Sequence, residues 1–105
     1  FGRNAMELDT AVRHKIPLLV VISLNGGWTA DPQKEKPGRN LGYVRYDKMA
    51  EGLGCYSEYV EEPGEIAAAL VRAQAKVDEG MVAVVNVKTD WAAQAVTQRF
   101  SSYTT

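Results

Sequence analysis

The chain has 105 residues, 46% of them hydrophobic and 24% charged, which is enough for one modest core. Its formal net charge of −1 gives no electrostatic reason to seek nucleic acid or an anionic membrane as a partner. One cysteine, Cys55, and one histidine, His14, leave no internal disulfide and disfavour a zinc centre; the lone thiol fits a reducing, cytoplasmic compartment.

Phe1-Gly2-Arg3-Asn4 runs straight into a helix, with neither the charged nor the apolar region of a signal peptide, as if the chain opened inside a domain. Asn4 is placed to act as N-cap and Glu7, three residues on, to complete a capping box. Met6, Leu8, Ala11 and Val12 give this helix an apolar side, and His14-Lys15 put cations at its carboxyl end. Pro17 leads into residues 18–24, an apolar run too short to span a bilayer and without polar alternation. Such a run reads as a strand buried on both faces of a parallel sheet. It stops at Asn25-Gly26-Gly27, the place where open α/β sheets bind ligands. Asparagine offers a carbonyl oxygen, and glycine lets backbone approach an anion or metal closely. The same tripeptide also makes an ordinary tight turn, and the residues alone leave both readings open.

Residues 29–40 are polar and read as a long loop; residues 41–45 are ambiguous. Tyr46, Met49, Ala50 and Leu53 recur at helical spacing, with Gly54 as the C′ residue. Residues 55–60 read as a short strand. Pro63 starts a helix whose face is Ile66, Leu70, Ala73 and Val77 and which Gly80 ends. Residues 81–87 form a second near-continuous apolar strand. Thr89 or Asp90 then caps a last helix carrying Trp91, Ala92 and Val96, followed by a tail without periodicity. Strands alternating with helices predict an α/β fold, a three-layer αβα arrangement around a mostly parallel sheet. The opening helix calls for a strand before it, so the domain is expected to be partial, lacking its first strand or strands.

The segment Phe1–His14 with Leu24-Asn25-Gly26-Gly27-Trp28 resembles the pyrophosphate-binding domain of thiamine diphosphate-dependent enzymes, whose motif is Gly-Asp-Gly, some two dozen residues, and then Asn. The likeness continues through residues 46–54 and 58–61. It is greatest to the branch of 2-hydroxyacyl-CoA lyase and oxalyl-CoA decarboxylase, with acetolactate synthase-like proteins sharing much of the segment. The resemblance implies thiamine diphosphate and Mg²⁺ as cofactors. It implies that Asn25 ligates the metal through its side chain and Gly27 through its backbone carbonyl, with an aspartate ahead of Phe1 as a third ligand. It also places Gly26, Trp28 and Thr29 with Asn25 and Gly27 around the cofactor. The family's usual Asn-Asn is Leu24-Asn25 here, which keeps the ligand and loses a neighbouring polar contact.

The implied reaction is C–C bond lysis or ligation, that of a 2-hydroxyacyl-CoA lyase or, alternatively, of an acetolactate synthase-like or other 2-oxo acid or oxalyl-CoA decarboxylase. The small-molecule substrate is then an acyl-CoA or a 2-oxo acid. The glutamate that activates the cofactor comes, in the family, from a neighbouring subunit, which implies a homodimer or homotetramer and leaves no catalytic residue in this chain. Residues 1–105 would be the C-terminal part of the domain, and residues 98–105 a tail able to fold over the active site. Other residues have plainer roles: His14 faces a helix dipole, Cys55 packs, Glu61, Glu62 and Glu65 sit in a helix's first turn, and Lys34, Lys36 and Arg39 belong to a solvated loop. The rival reading is a free-standing α/β module that binds a nucleotide or a partner and does no chemistry.

Overall fold

A computed structural model describes residues 1–28 and 35–93. Its elements are α1 (Glu7–Arg13), β1 (Leu18–Leu24), α2 (Tyr46–Gly52), β2 (Tyr56–Val60), a single 3₁₀ turn (Pro63–Glu65), α3 (Ile66–Asp78) and β3 (Val82–Lys88). The strands form one parallel sheet in the order β1-β3-β2, with Leu18 opposite Val82 and Tyr56 opposite Ala83.

Side-chain alternation along β3 divides the core into two layers. Val82 and Val84 face one way, toward Leu8 and Ala11 of α1 and Ala50 of α2. Ala83, Val85 and Val87 face the other way, toward Ala69 and Ala73 of α3. The expected three-layer αβα arrangement is therefore present. The alanines let α3 approach the sheet closely, and Ile66, Leu70 and Val77 pack around the same contact.

The three α-helices among the described residues stop by the same device. In each, the N–H two residues past the C-cap bonds back to a carbonyl in the last turn: Ile16 to Ala11 at 2.9 Å, Cys55 to Ala50 at 3.0 Å and Met81 to Lys76 at 3.0 Å. The pivot residue must adopt a left-handed conformation. Gly54 and Gly80 do so freely, at φ of 96° and 94°, but the pivot of α1 is Lys15, at φ 53°.

Three expectations need correction. Asn4 is not the cap of α1; helical geometry starts after Met6, with no side-chain cap bond. Backbone turns answer the first N–H groups instead, with Glu7 N–H donating to the Asn4 carbonyl and Leu8 N–H to that of Ala5. Met6 does not join the apolar side and is 61% exposed. The strand buried on both faces is β3, not β1. Being at the edge of the described sheet, β1 is covered less completely on its second face: Leu19 packs against the α3 layer, but Val21 is 51% exposed, while Ile22 on the first face is buried. At the carboxyl end of β3, Asp90 Oδ1 accepts the Ala92 N–H at 2.8 Å, the beginning of the expected cap; the helix through Val96 and the tail over 98–105 lie outside the described residues.

Candidate functional site

The Asn25-Gly26-Gly27 turn follows the last residue of β1 and opens onto a cavity of about 460 Å³. The cavity walls come from residues 1–3, 22–28, 41, 42 and 46, so three separate stretches of chain converge on the turn. Asn25 is exposed to this space, and its Oδ1 accepts the Gly27 N–H at 3.1 Å. Gly26 is buried at φ 69°, a conformation an L side chain rarely adopts. Its carbonyl accepts two N–H groups, from Leu41 at 2.9 Å and Gly42 at 3.1 Å. Gly27 lies opposite Asn40 in an isolated antiparallel bridge, and Trp28 N–H donates to the Arg39 carbonyl at 2.8 Å. The turn is thus clasped by the segment that precedes α2 and cannot move independently of it.

Trp28 is 46% exposed at the cavity wall, with the Arg3 guanidinium 5.6 Å from its ring centre. Phe1 meets Tyr46 edge to face at 5.0 Å, and a methyl on Gly2 would come within 2.7 Å of the Tyr46 hydroxyl. The N-terminal segment therefore seats closely on α2, and a side chain at Gly2 would displace the end of the Tyr46 ring.

Of the residues singled out from sequence, Asn25, Gly26, Gly27 and Trp28 lie together here; Thr29 lies outside the described residues, as does Lys34. His14, at the C-cap of α1, and Cys55, just ahead of β2, lie at the amino-terminal end of the sheet, away from the cavity. Burial pushes the Cys55 thiol up in pKa, which makes it a packing residue rather than a nucleophile. Glu61, Glu62 and Glu65 are exposed and do not line the cavity. Arg39 turns toward Trp28, whose carbonyl its Nη1 approaches at 3.4 Å.

A second polar group was not visible in the sequence. Asp47, 5% exposed at the start of α2, receives Arg45 through both oxygens, Nε at 2.9 Å and Nη2 at 2.7 Å. Asn86, fully buried in β3, donates from Nδ2 to Asp47 Oδ1 at 3.2 Å and to the Val44 carbonyl at 3.1 Å. The Arg45 guanidinium lies 4.1 Å from the centre of the Tyr59 ring. The Arg45 hydrogen bonds, helped by the Asn86 amide and opposed by burial, hold the Asp47 carboxyl below the usual range. The one signal for this network in the sequence was an asparagine inside a run of valines.

The polar groups lining the cavity are carbonyl oxygens, hydroxyls, backbone amides and the Arg3 guanidinium. Among the described residues there is no group of three or more His, Cys, Asp or Glu able to hold a metal by themselves. The profile of the family described as thiamine pyrophosphate enzyme, C-terminal TPP binding domain, matches residues 1–87. The chain belongs to this family. It is 39% identical over 99 residues to the acetolactate synthase large subunit of Mycobacterium tuberculosis, covering 86% of this chain and 17% of that protein. It is 36% identical over 95 residues to 2-hydroxyacyl-CoA lyase 2 of Bos taurus, covering 83% and 15%. To the 2-hydroxyacyl-CoA lyase of Arabidopsis thaliana it is 32% identical over 97 residues, covering 81% and 17%. The chain spans about a sixth of the length of these curated relatives. As a TPP-binding domain it comes from a family of thiamine diphosphate enzymes. No helix among the described residues is long and apolar enough to cross a membrane.

Proposed function

We propose that this chain is the C-terminal portion of a thiamine diphosphate- and Mg²⁺-dependent C–C lyase or ligase, a 2-hydroxyacyl-CoA lyase that splits a 2-hydroxyacyl-CoA into formyl-CoA and an aldehyde or ketone, reversibly. The supporting observation is the Asn25-Gly26-Gly27 turn, fixed at the carboxyl end of β1 and facing the cavity. Its donors fit the ion. Mg²⁺ takes hard oxygens in octahedral geometry and shares them with substrate phosphates. The Asn25 side-chain oxygen keeps a second lone pair after accepting the Gly27 N–H, and Gly27 offers its carbonyl. These two residues hold the ion, and a carboxylate from the preceding part of the same enzyme completes the set. Trp28 and Gly26, which line the cavity, would border the diphosphate.

Thiamine diphosphate, when bound, supplies a carbon nucleophile for a carbonyl and a sink for the electrons of the broken C–C bond. This chain's residues do the holding: Asn25 and Gly27 orient the ion, the clasp on Gly26 fixes their spacing, and Trp28 with Phe1 and Tyr46 narrows the access of water. The group that activates the cofactor belongs to a neighbouring subunit, so the enzyme works as a homodimer or homotetramer, in the cytoplasm.

A second reading is an acetolactate synthase-like enzyme acting on 2-oxo acids, favoured by the 39% identity to the mycobacterial protein. Turnover of a 2-hydroxyacyl-CoA and of pyruvate by the full-length enzyme decides between the two. Asn25→Ala tests what both share. Altering a neighbour of a metal ligand typically costs 10–100-fold, so losing the ligand should weaken Mg²⁺ binding by about 100-fold or more. Unchanged Mg²⁺ affinity would remove Asn25 from the site.

A further inference from the structure

We infer that Asp47 and Asn86, with Arg45, are positioning residues that set the affinity of the Asn25-Gly26-Gly27 turn for its divalent cation; this rests on the cofactor reading above. Neither residue lines the cavity, but hydrogen bonds at the two ends of a short backbone stretch, residues 41–44, join them to it. Asn86 is anchored in the central strand, where register with both neighbours fixes its position. Its amide reaches across to the Val44 carbonyl at 3.1 Å and Asp47 Oδ1 at 3.2 Å. Those two bonds tie down both sides of Arg45, the junction where the loop becomes α2. Two and three residues before Val44, the Gly42 and Leu41 N–H groups close on the Gly26 carbonyl. The loop therefore has one end pinned to the sheet by Asn86 and the other holding the turn that carries Asn25 and Gly27.

Burying such a group in an apolar layer is costly unless each member is satisfied. Asp47 is satisfied: Arg45 grips both oxygens in a fork, and the Arg45 plane is in turn held on Tyr59. Ser57 Oγ donates to the Asp47 backbone carbonyl at 2.7 Å, tying the start of α2 to β2 as well. Asn86 Oδ1 is buried without a hydrogen-bond partner, a cost an apolar residue at this position would avoid. A valine would pack into the run as its neighbours do. What asparagine adds is the pair of donors that fix Val44 and Asp47, so its retention makes sense as a placement device for the loop.

The test uses the full-length enzyme and the isosteric change Asp47→Asn, which sets an amide against donors on both sides. Mg²⁺ is titrated at saturating thiamine diphosphate, following tryptophan fluorescence, since Trp28 borders the cavity. The apparent Kd should rise about 5–20-fold, the scale of an outer-shell change, while kcat recovers at saturating Mg²⁺. Arg45→Gln, at an exposed side chain, should give a smaller rise, about 3-fold, with the fold intact. Val60→Ala, in the opposite core layer, provides matched destabilisation and should leave Mg²⁺ affinity alone. If Asp47→Asn does not fold, Arg45→Gln decides by itself. Mg²⁺ affinity within twofold of wild type in the folded variants, with stability falling as in Val60→Ala, would make the network purely structural and overturn the inference. A wild-type enzyme with no thiamine diphosphate- or Mg²⁺-dependent signal would instead sink the cofactor reading, and this inference with it.

Discussion

Gly42 allows the clasp on the turn to be weakened by backbone conformation alone. It sits at φ 72°, and a methyl added there meets nothing within 4 Å. Crowding therefore adds nothing, and Gly42→Ala carries only the cost of a left-handed L residue, about 1–2 kcal/mol. The chain has two ways to respond. If the backbone holds, that cost falls on stability. If it relaxes, the Gly42 N–H leaves the Gly26 carbonyl and the Asn40 side chain, now 3.1 and 3.3 Å away, at a cost of about 1 kcal/mol for bonds of this kind. In the second case the turn is preorganised less often, and 1 to 1.4 kcal/mol corresponds to roughly a 5- to 10-fold weaker cofactor site. The assay is thiamine diphosphate binding to the full-length enzyme at saturating Mg²⁺, alongside urea denaturation. Gly80→Ala is the control, since Gly80 has φ 94° and equally open space but ends α3 at the far end of the sheet. Gly42→Asn should be milder than Gly42→Ala, because asparagine tolerates this region better. If Gly42→Ala and Gly80→Ala weaken cofactor binding equally, or if Gly42→Ala changes neither binding nor the urea midpoint, the clasp does not control the turn.

Lys15 presents the converse case, a side chain where α1 calls for glycine at its pivot. Lys15→Gly should stabilise the protein by about 0.5–1 kcal/mol, the strain relieved exceeding glycine's extra unfolded-state entropy; a lower urea midpoint would contradict this. The Asp47 network should also show in acid. Its carboxyl titrates lower folded than unfolded, so its stabilisation is complete above the ordinary carboxylate range and is lost as pH falls through the folded value. Glu58, held down by Arg72, adds a loss in the same direction. Asp47→Asn should therefore flatten the fall in urea midpoint between pH 5 and pH 3 without abolishing it, and an unchanged slope would argue against the pairing.

The elements that could be read in advance are those set by local pattern. Ile66, Leu70, Ala73 and Val77 mark the buried face of α3 by spacing alone, and Gly54 and Gly80 mark helix ends because only a left-handed pivot closes those turns. The turn at Asn25 was legible because a strand's end and its glycines are adjacent in sequence. What stayed hidden depends on partners distant in the chain. Val21 belongs to an apolar run as strong as that of β3, yet whether a strand lies at the centre or the edge is decided by pairing, not by composition. Asn86 looked like a single interruption in such a run, and its meaning depends on Val44 and Asp47, some forty residues earlier. The capping box at Asn4 failed because a backbone turn reached the same N–H groups first.

The strand order has a consequence for how the molecule assembles. β2 meets β3 across little more than α3, whereas β1 meets β3 across everything between Leu24 and Val82. Closing the shorter connection costs less chain entropy, so the β2-α3-β3 unit is favoured to form first and β1 to dock last against a prepared edge. Most of the residues that face the cavity are on that late strand, the turn after it and the loop that clasps the turn. A ligand seated there can recognise only the finished chain, and by mass action it draws the unfinished population toward completion.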